Sequence, residues 1–228
     1  MFLSRSYTYI IMCMENIIQN EQNNKKFKLP KCLSFLNDKN SLFYYFIFLV
    51  FIGFCFLGVS LITSDFTTPF SGDYVSQQFA FYTNGYDDWW HFFKTGEFIL
   101  YDENTYLGAN NIGSNSFYYL FDPFFMPILL CPREYIPQGM AILTIFKIAL
   151  AGLSFYFYMR YFKVKDSTAK ITGLAYAFCG WVSWYLWFNH FTEIAICLPL
   201  ILLGVEKTLQ EKKPVLLGAS LFLLGITN

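Results

Sequence analysis

Two kinds of side chain in this sequence could move a proton or hold an anion: carboxylates that follow an apolar run, and charged groups set inside or between such runs. Asp65 and Asp73 come just after the first long apolar segment, Lys147 sits within the second, and His190 and Glu193 share a short turn between two later ones. A carboxylate within hydrogen-bond reach of a hydroxyl can take its proton as a general base. Cations or hydrogen-bond donors placed where negative charge develops stabilise a departing anion. Direct attack by the hydroxyl on a sugar carbon would invert that centre, unlike a two-step route through a covalent intermediate.

Each of these residues also has a plainer role. Asp73 immediately precedes a helical pattern, where Asp commonly caps free backbone N–H groups. Lys147 lies about nine residues into its run, roughly 14 Å along a helix axis. An ammonium there costs ~2.5–3.5 kcal/mol, so it either snorkels, finds an ion-pair partner or meets an anionic ligand. His190 is a candidate phosphate partner and Glu193 a candidate mate for a cation, while Trp181, Trp184 and Trp187 nearby are explained by interface anchoring. Asn110 and Asn111 fall in a Gly- and Asn-rich stretch, Asp102 to Ser116, which reads as turn chemistry or as a polar rim that hydrogen-bonds a sugar.

The elements that must position these groups are membrane elements. With 55% hydrophobic, 22% aromatic and only 14% charged residues in 228, the chain has too little polar stock to cover a soluble globule. Ser41 to Ser64 carries no charged side chain, and its 24 residues at ~1.5 Å each cross the ~30 Å hydrocarbon layer. Forty residues precede it, which argues against a signal peptide. That segment, 1–40, carries Arg5, Lys25, Lys26, Lys28, Lys31 and Lys39 among Asn and Gln and reads as a flexible cytoplasmic tail, with Met1 or Met14 as the start. Further spans are expected at 138–161, 169–188 and 192–205, with a fifth from 214 still apolar at Asn228. A chain ending there inside lipid is expected to be a fragment, inactive by itself.

Charge orients the whole. Arg160, Lys163, Lys165 and Lys170 in one short loop, and Lys207, Lys212 and Lys213 in another, fall on the side of the basic tail, so the N-terminus is expected inside the cell. The segment 65–137 has two basic residues against nine acidic ones and belongs outside. Within it Val75, Phe79, Tyr82, Tyr86, Trp89 and Phe93 recur at helical spacing, an amphipathic helix over 75–94 suited to the headgroup level. The apolar stretch 117–131 is broken by Asp122-Pro123 and Pro127 and reads as a re-entrant or interfacial element. Nothing basic and aromatic is interleaved as nucleic acid would require, and six cysteines without a C-x-x-C pair or His cluster give no metal site.

Taken in order, Gly72-Asp73-Tyr74, the Gly108 to Asn115 loop leading to Tyr118-Tyr119-Leu120 and Asp122-Pro123-Phe124, the run from Phe146 to Tyr156, Tyr176 to Gly180 and Pro199 to Gly204 resemble the YfhO family of bacterial membrane proteins. The resemblance implies an all-α, multi-pass helical bundle of GT-C type with a long extracellular loop. It implies an inverting glycosyltransferase that moves a sugar from a polyprenyl-phosphate donor to a surface polymer such as lipoteichoic or wall teichoic acid; no covalently bound cofactor is expected and, because no metal-ligand set is visible in the sequence, no metal. The family's acidic residue in the first outer loop falls on Asp73, with Asp65 as backup; Lys147, His190, Glu193, Asn110 and Asn111 are then candidates for donor or acceptor binding. A non-enzymatic transporter or envelope assembly factor handling a lipid-linked precursor is the rival reading.

Overall fold

The computed structural model describes residues 41–68, 70, 72–103 and 107–227. The expected tail over 1–40, the choice between Met1 and Met14, and Asn228 lie outside them. Helix α1 (Ser41–Thr63) is apolar on every side. Tyr45, Leu49, Leu57 and Leu61 turn inward along one face, while Phe43, Phe51, Val59 and Ile62 stay exposed on the others. That is the pattern of a helix whose second environment is also apolar. The inner face meets the later helices, the Tyr45 ring lying 5.6 Å from that of Tyr156, and the exposed Phe56 ring lies 5.5 Å from that of Phe178, just past a later helix. The helix closes with Asp65 and Phe66 both in left-handed backbone, where the Phe66 N–H reaches back to the Leu61 carbonyl at 2.7 Å.

The segment 65–137, called the outer segment after its expected place, is mainly helical among its described residues. A widened π-helical turn, Tyr74–Phe79, runs into α2 (Ala80–Thr95), which stops at Gly96 in left-handed conformation. Two short strands, β1 (Tyr101–Asp102) and β2 (Ala109–Asn110), pair antiparallel, with Tyr101 opposite Asn110. Then come the single-turn helix α3 (Asn111–Asn115), a second π turn at Ser116–Leu120 and 3-10 turns at Met126–Leu130 and Arg133–Tyr135. The middle of the amphipathic stripe, Tyr82 and Tyr86, is buried against Tyr119, Leu120, Phe125 and Ile128, while its two ends, Val75 and Phe93, are exposed. The stripe therefore serves first as the loop's own core.

Four more helices follow: α4 (Ile136–Tyr161), α5 (Asp166–Ala177), α6 (Gly180–Trp184) and α7 (Asn189–Glu211), with α8 (Val215–Thr227) after them. Helix α4 packs on α5 and α7, and α7 on α8. Among the described residues, two stretches, Leu42–Thr63 and Arg133–Tyr161, are helical, long and apolar enough to cross a bilayer. The stretch expected as one span from Ala169 to Phe188 is divided: α5 ends at Ala177, the backbone becomes extended at Cys179, and α6 adds only one turn and a half. Hydropathy summed along a chain does not register such a backbone break. Helix α7 in turn begins at Asn189 rather than Thr192, which takes His190 and Glu193 out of the expected turn and into its first two turns.

Candidate functional site

The charged groups come together where the outer segment sits on α4 and α7. Lys147 is on the face of α4 that α7 covers, and its side chain is 2% exposed. Its Nζ donates to Glu193 Oε1 in a close ion pair, to the Tyr82 hydroxyl at 3.2 Å and to the Asn189 carbonyl at 3.4 Å. A buried ammonium is tolerable only when its donors are matched by acceptors and one of these is anionic. The neighbouring turn of α4 adds Thr144, whose hydroxyl donates to Met140 O at 2.9 Å and lies 3.2 Å from Asn189 Oδ1.

Asp122 completes the cluster from the loop side. It follows Tyr119-Leu120-Phe121 and precedes Pro123, and its Oδ1 accepts the Phe124 N–H at 2.8 Å while its carbonyl accepts that of Phe125 at 3.1 Å. The turn is held over the helices by Trp89, whose indole donates to the Leu120 carbonyl at 3.1 Å. Asp122 is 1% exposed, and burial pushes its carboxyl above the usual range, although the nearby Lys147 opposes the shift. Asp122 and Glu193 lie within electrostatic reach of each other and of Lys147. Each has one oxygen, Oδ2 and Oε2 respectively, that no donor among the described residues reaches.

Of the residues singled out in the sequence, Lys147, His190 and Glu193 are thus brought together. Lys147 neither snorkels nor stands open; it is closed in by Glu193. His190 is buried within electrostatic reach of Lys147, its ring 4.6 Å from that of Phe191. Asp122, Tyr82, Asn189 and Thr144 were not singled out. For Asp122 a signal existed, since it is the one charged residue in the apolar stretch from Phe117 to Cys131. Along α4, an apolar cavity of about 380 Å³ lined by Pro127, Ile128, Leu143 and Phe146 has Lys147 in its wall.

Asp73 and Asp65 stand apart from this cluster. Asp73 has helical backbone and makes no capping bond, so the helix that begins there does not consume its carboxylate. It is half-buried, and the Tyr74 that follows it lines a cavity of about 190 Å³ together with Thr67, Thr68, Val75, Phe79 and Pro137. Asp65 is exposed at the left-handed end of α1.

The two asparagines are structural in their contacts. Asn110 caps α3, accepting the Gly113 N–H at 2.7 Å. Asn111 donates to Asp88 Oδ2 at 2.9 Å and to Ile99 O at 2.8 Å, and accepts from Asn115. Beside them opens a polar cleft of about 570 Å³ lined by Asn84, Asp87, Asp88, His91, Asp102 and Glu103. One of its walls is braced by Arg133, which grips both carboxylate oxygens of Asp87 at 2.8 and 2.7 Å. Among the described residues no group of three His, Cys, Asp or Glu side chains converges as a metal-ligand set.

A family model described as "Bacterial membrane protein YfhO" matches residues 45–228. No curated protein and no solved structure matches the chain.

Proposed function

The chain belongs to the YfhO family of bacterial membrane proteins, and from that membership we propose that it is a multi-pass glycosyltransferase of GT-C type with its N-terminus in the cytoplasm. The donor is a polyprenyl-phosphate sugar and the acceptor a hydroxyl of a surface polymer such as lipoteichoic or wall teichoic acid. The acceptor oxygen bonds to the anomeric carbon as the bond from that carbon to the phosphate oxygen breaks, its electron pair leaving with the phosphate. The hydroxyl proton passes to a carboxylate, which we assign to Asp73 with Asp65 as backup, and the centre inverts.

One observation carries this assignment: Asp73 stands just past the end of α1, half-exposed, with its carboxylate free of the capping bond that its position in the sequence invites. The polar cleft around Asn84 and Asp88 gives the same segment a surface suited to hydroxyl-rich ligands. Asp73→Asn in the chain's native bacterial membrane, with glycosylated polymer measured against protein level, tests the base. Loss of glycosylation at unchanged protein level is expected; unchanged glycosylation overturns the assignment.

The reading as a non-enzymatic transporter or assembly factor draws on a different observation, the buried Lys147–Glu193–Asp122 cluster. Ionisable groups inside a helical bundle are what a translocation pathway carries. On that reading Asp73→Asn is silent and removal of the cluster's charges stops movement of the lipid-linked precursor.

A further inference from the structure

Asp122 and Glu193 come from opposite sides of the contact between the outer loop and the helices, and both are sealed from solvent, at 1% and 0% exposure. Lys147 supplies one positive charge to the pair. Two ionised carboxylates against one ammonium would leave a net negative charge sealed in the protein interior, which is strongly disfavoured. Two carboxyl groups sharing one site do not both ionise, because each disfavours the charge of the other. A carboxylic acid donating to a carboxylate resolves both difficulties. It makes the cluster neutral, and it supplies the donor that Asp122 Oδ2 and Glu193 Oε2 otherwise lack.

We propose that Asp122 and Glu193 hold one exchangeable proton between them, so that the contact of the outer loop with α4 and α7 is a single-proton lock. The titratable groups facing it are Tyr82 from α2, Lys147 from α4, His190 and Cys197 from α7, and Tyr74 from the turn before α2. Releasing the proton to water leaves the cluster with its unbalanced negative charge. Of the two carboxylates, Asp122 is the one carried on a turn rather than inside a long helix. The turn at Asp122-Pro123 is then the part that lifts, and the loop unseats. This inference needs no assumption about glycosyl transfer and stands whether or not Asp73 is a base.

Infrared difference spectroscopy of the protein in lipid bilayers, titrated upward in pH, reads the proton directly. A carbonyl-stretch band of a protonated carboxylic acid that shifts in heavy water is expected in the unsubstituted protein. It should vanish in Asp122→Asn and equally in Glu193→Gln, because the remaining carboxylate pairs with Lys147 as an ion. A band lost in only one of the two variants means an isolated acid and overturns the sharing. Absence of such a band in the unsubstituted protein overturns the proposal whether or not the variants fold. Limited proteolysis of the outer loop in the same titration tests the lock. Cleavage should rise as the band is lost, and a band lost with no change in cleavage refutes the mechanical coupling.

Discussion

The hydroxyl of Tyr176 on α5 donates to the backbone carbonyl of Ala195 on α7 at 2.9 Å. Ala195 is four residues before Pro199, which lies inside α7 and has no N–H to give that carbonyl. The tyrosine supplies from a neighbouring helix the donor that the helix itself cannot. Tyr176→Phe therefore leaves a buried acceptor unmatched, with an expected loss of about 1–3 kcal/mol. The check is a double-mutant cycle of thermal unfolding with Pro199→Ala, which restores the N–H. Tyr176→Phe should cost markedly less in that background, and equal costs in both would detach the hydrogen bond from the proline.

Gly85 on α2 faces the ring of Tyr119, and a methyl group added there would lie 2.2 Å from the ring. Tyr119 is fully buried and cannot swing aside without disturbing Phe125, 5.5 Å away. Gly85→Ala is expected to destabilise the outer segment by about 1–3 kcal/mol through overpacking. Faster hydrogen exchange over residues 80–130, with α5 unaffected, is the signature. Pairing it with Tyr119→Leu should recover part of the loss.

These contacts show what sequence can and cannot disclose about this fold. Helix α1, helix α4 and the loop helix follow from unbroken apolar runs and from the spacing of Tyr82, Tyr86 and Trp89, because helical period and hydropathy are local properties. The type of site residue at Lys147 and Glu193 follows as well, since an ammonium in an apolar helix requires an anion. Asp122 had a local signal, as the one charge in its apolar stretch, but its meeting with Glu193 was out of reach: the two are 71 positions apart, and no local pattern encodes it. The break at Phe178–Cys179 was hidden because apolar side chains continue across it. The capping bond of Asp73 fails because the backbone is already helical at Asp73, which turns an end position into an interior one.

Helices α4 and α5 cross at two glycines. A methyl group on Gly173 would meet the Gly152 carbonyl at 2.6 Å and the Tyr45 hydroxyl at 2.5 Å. The same tyrosine donates to the Lys170 carbonyl at 2.8 Å, so three helices share this crossing. Small residues at such a crossing let backbones approach closely, which is how helices gain contact in lipid. Gly173→Leu should separate α5 from α4 and α1 and lower the unfolding temperature in detergent more than Gly218→Leu, a position with open space around it. Equal shifts would deny the crossing its role.

Asp88 gives a pH dependence of defined sign. Burial is the main cause holding its carboxyl above the usual range, against the opposing hydrogen bond from Asn111. The folded segment then binds more protons than the unfolded one between the ordinary aspartate value of about 3.9 and the raised value. Its contribution is complete below the ordinary value and falls away as pH rises through the raised one. Asp88→Asn should flatten this part of the stability-against-pH curve of the outer segment, followed by hydrogen exchange at several pH values. A curve of unchanged slope would assign the dependence elsewhere.

Removing the cation at the centre of the cluster has the largest expected effect. Lys147→Met keeps the volume of the side chain but strands Glu193, which is fully buried, without its ion-pair partner. Breaking a buried pair from one side costs about 3–5 kcal/mol, whereas replacing both charges by apolar groups is often close to neutral. The single variant should therefore unfold at much lower temperature or be degraded in the membrane. Lys147→Met combined with Glu193→Leu should recover most of the loss, with Asp122 left as a neutral acid in its turn. If the double variant were as unstable as the single one, the lysine would be needed for something beyond neutralising Glu193. The Tyr82 hydroxyl and the Asn189 carbonyl, its two other acceptors, would then be the contacts to dissect.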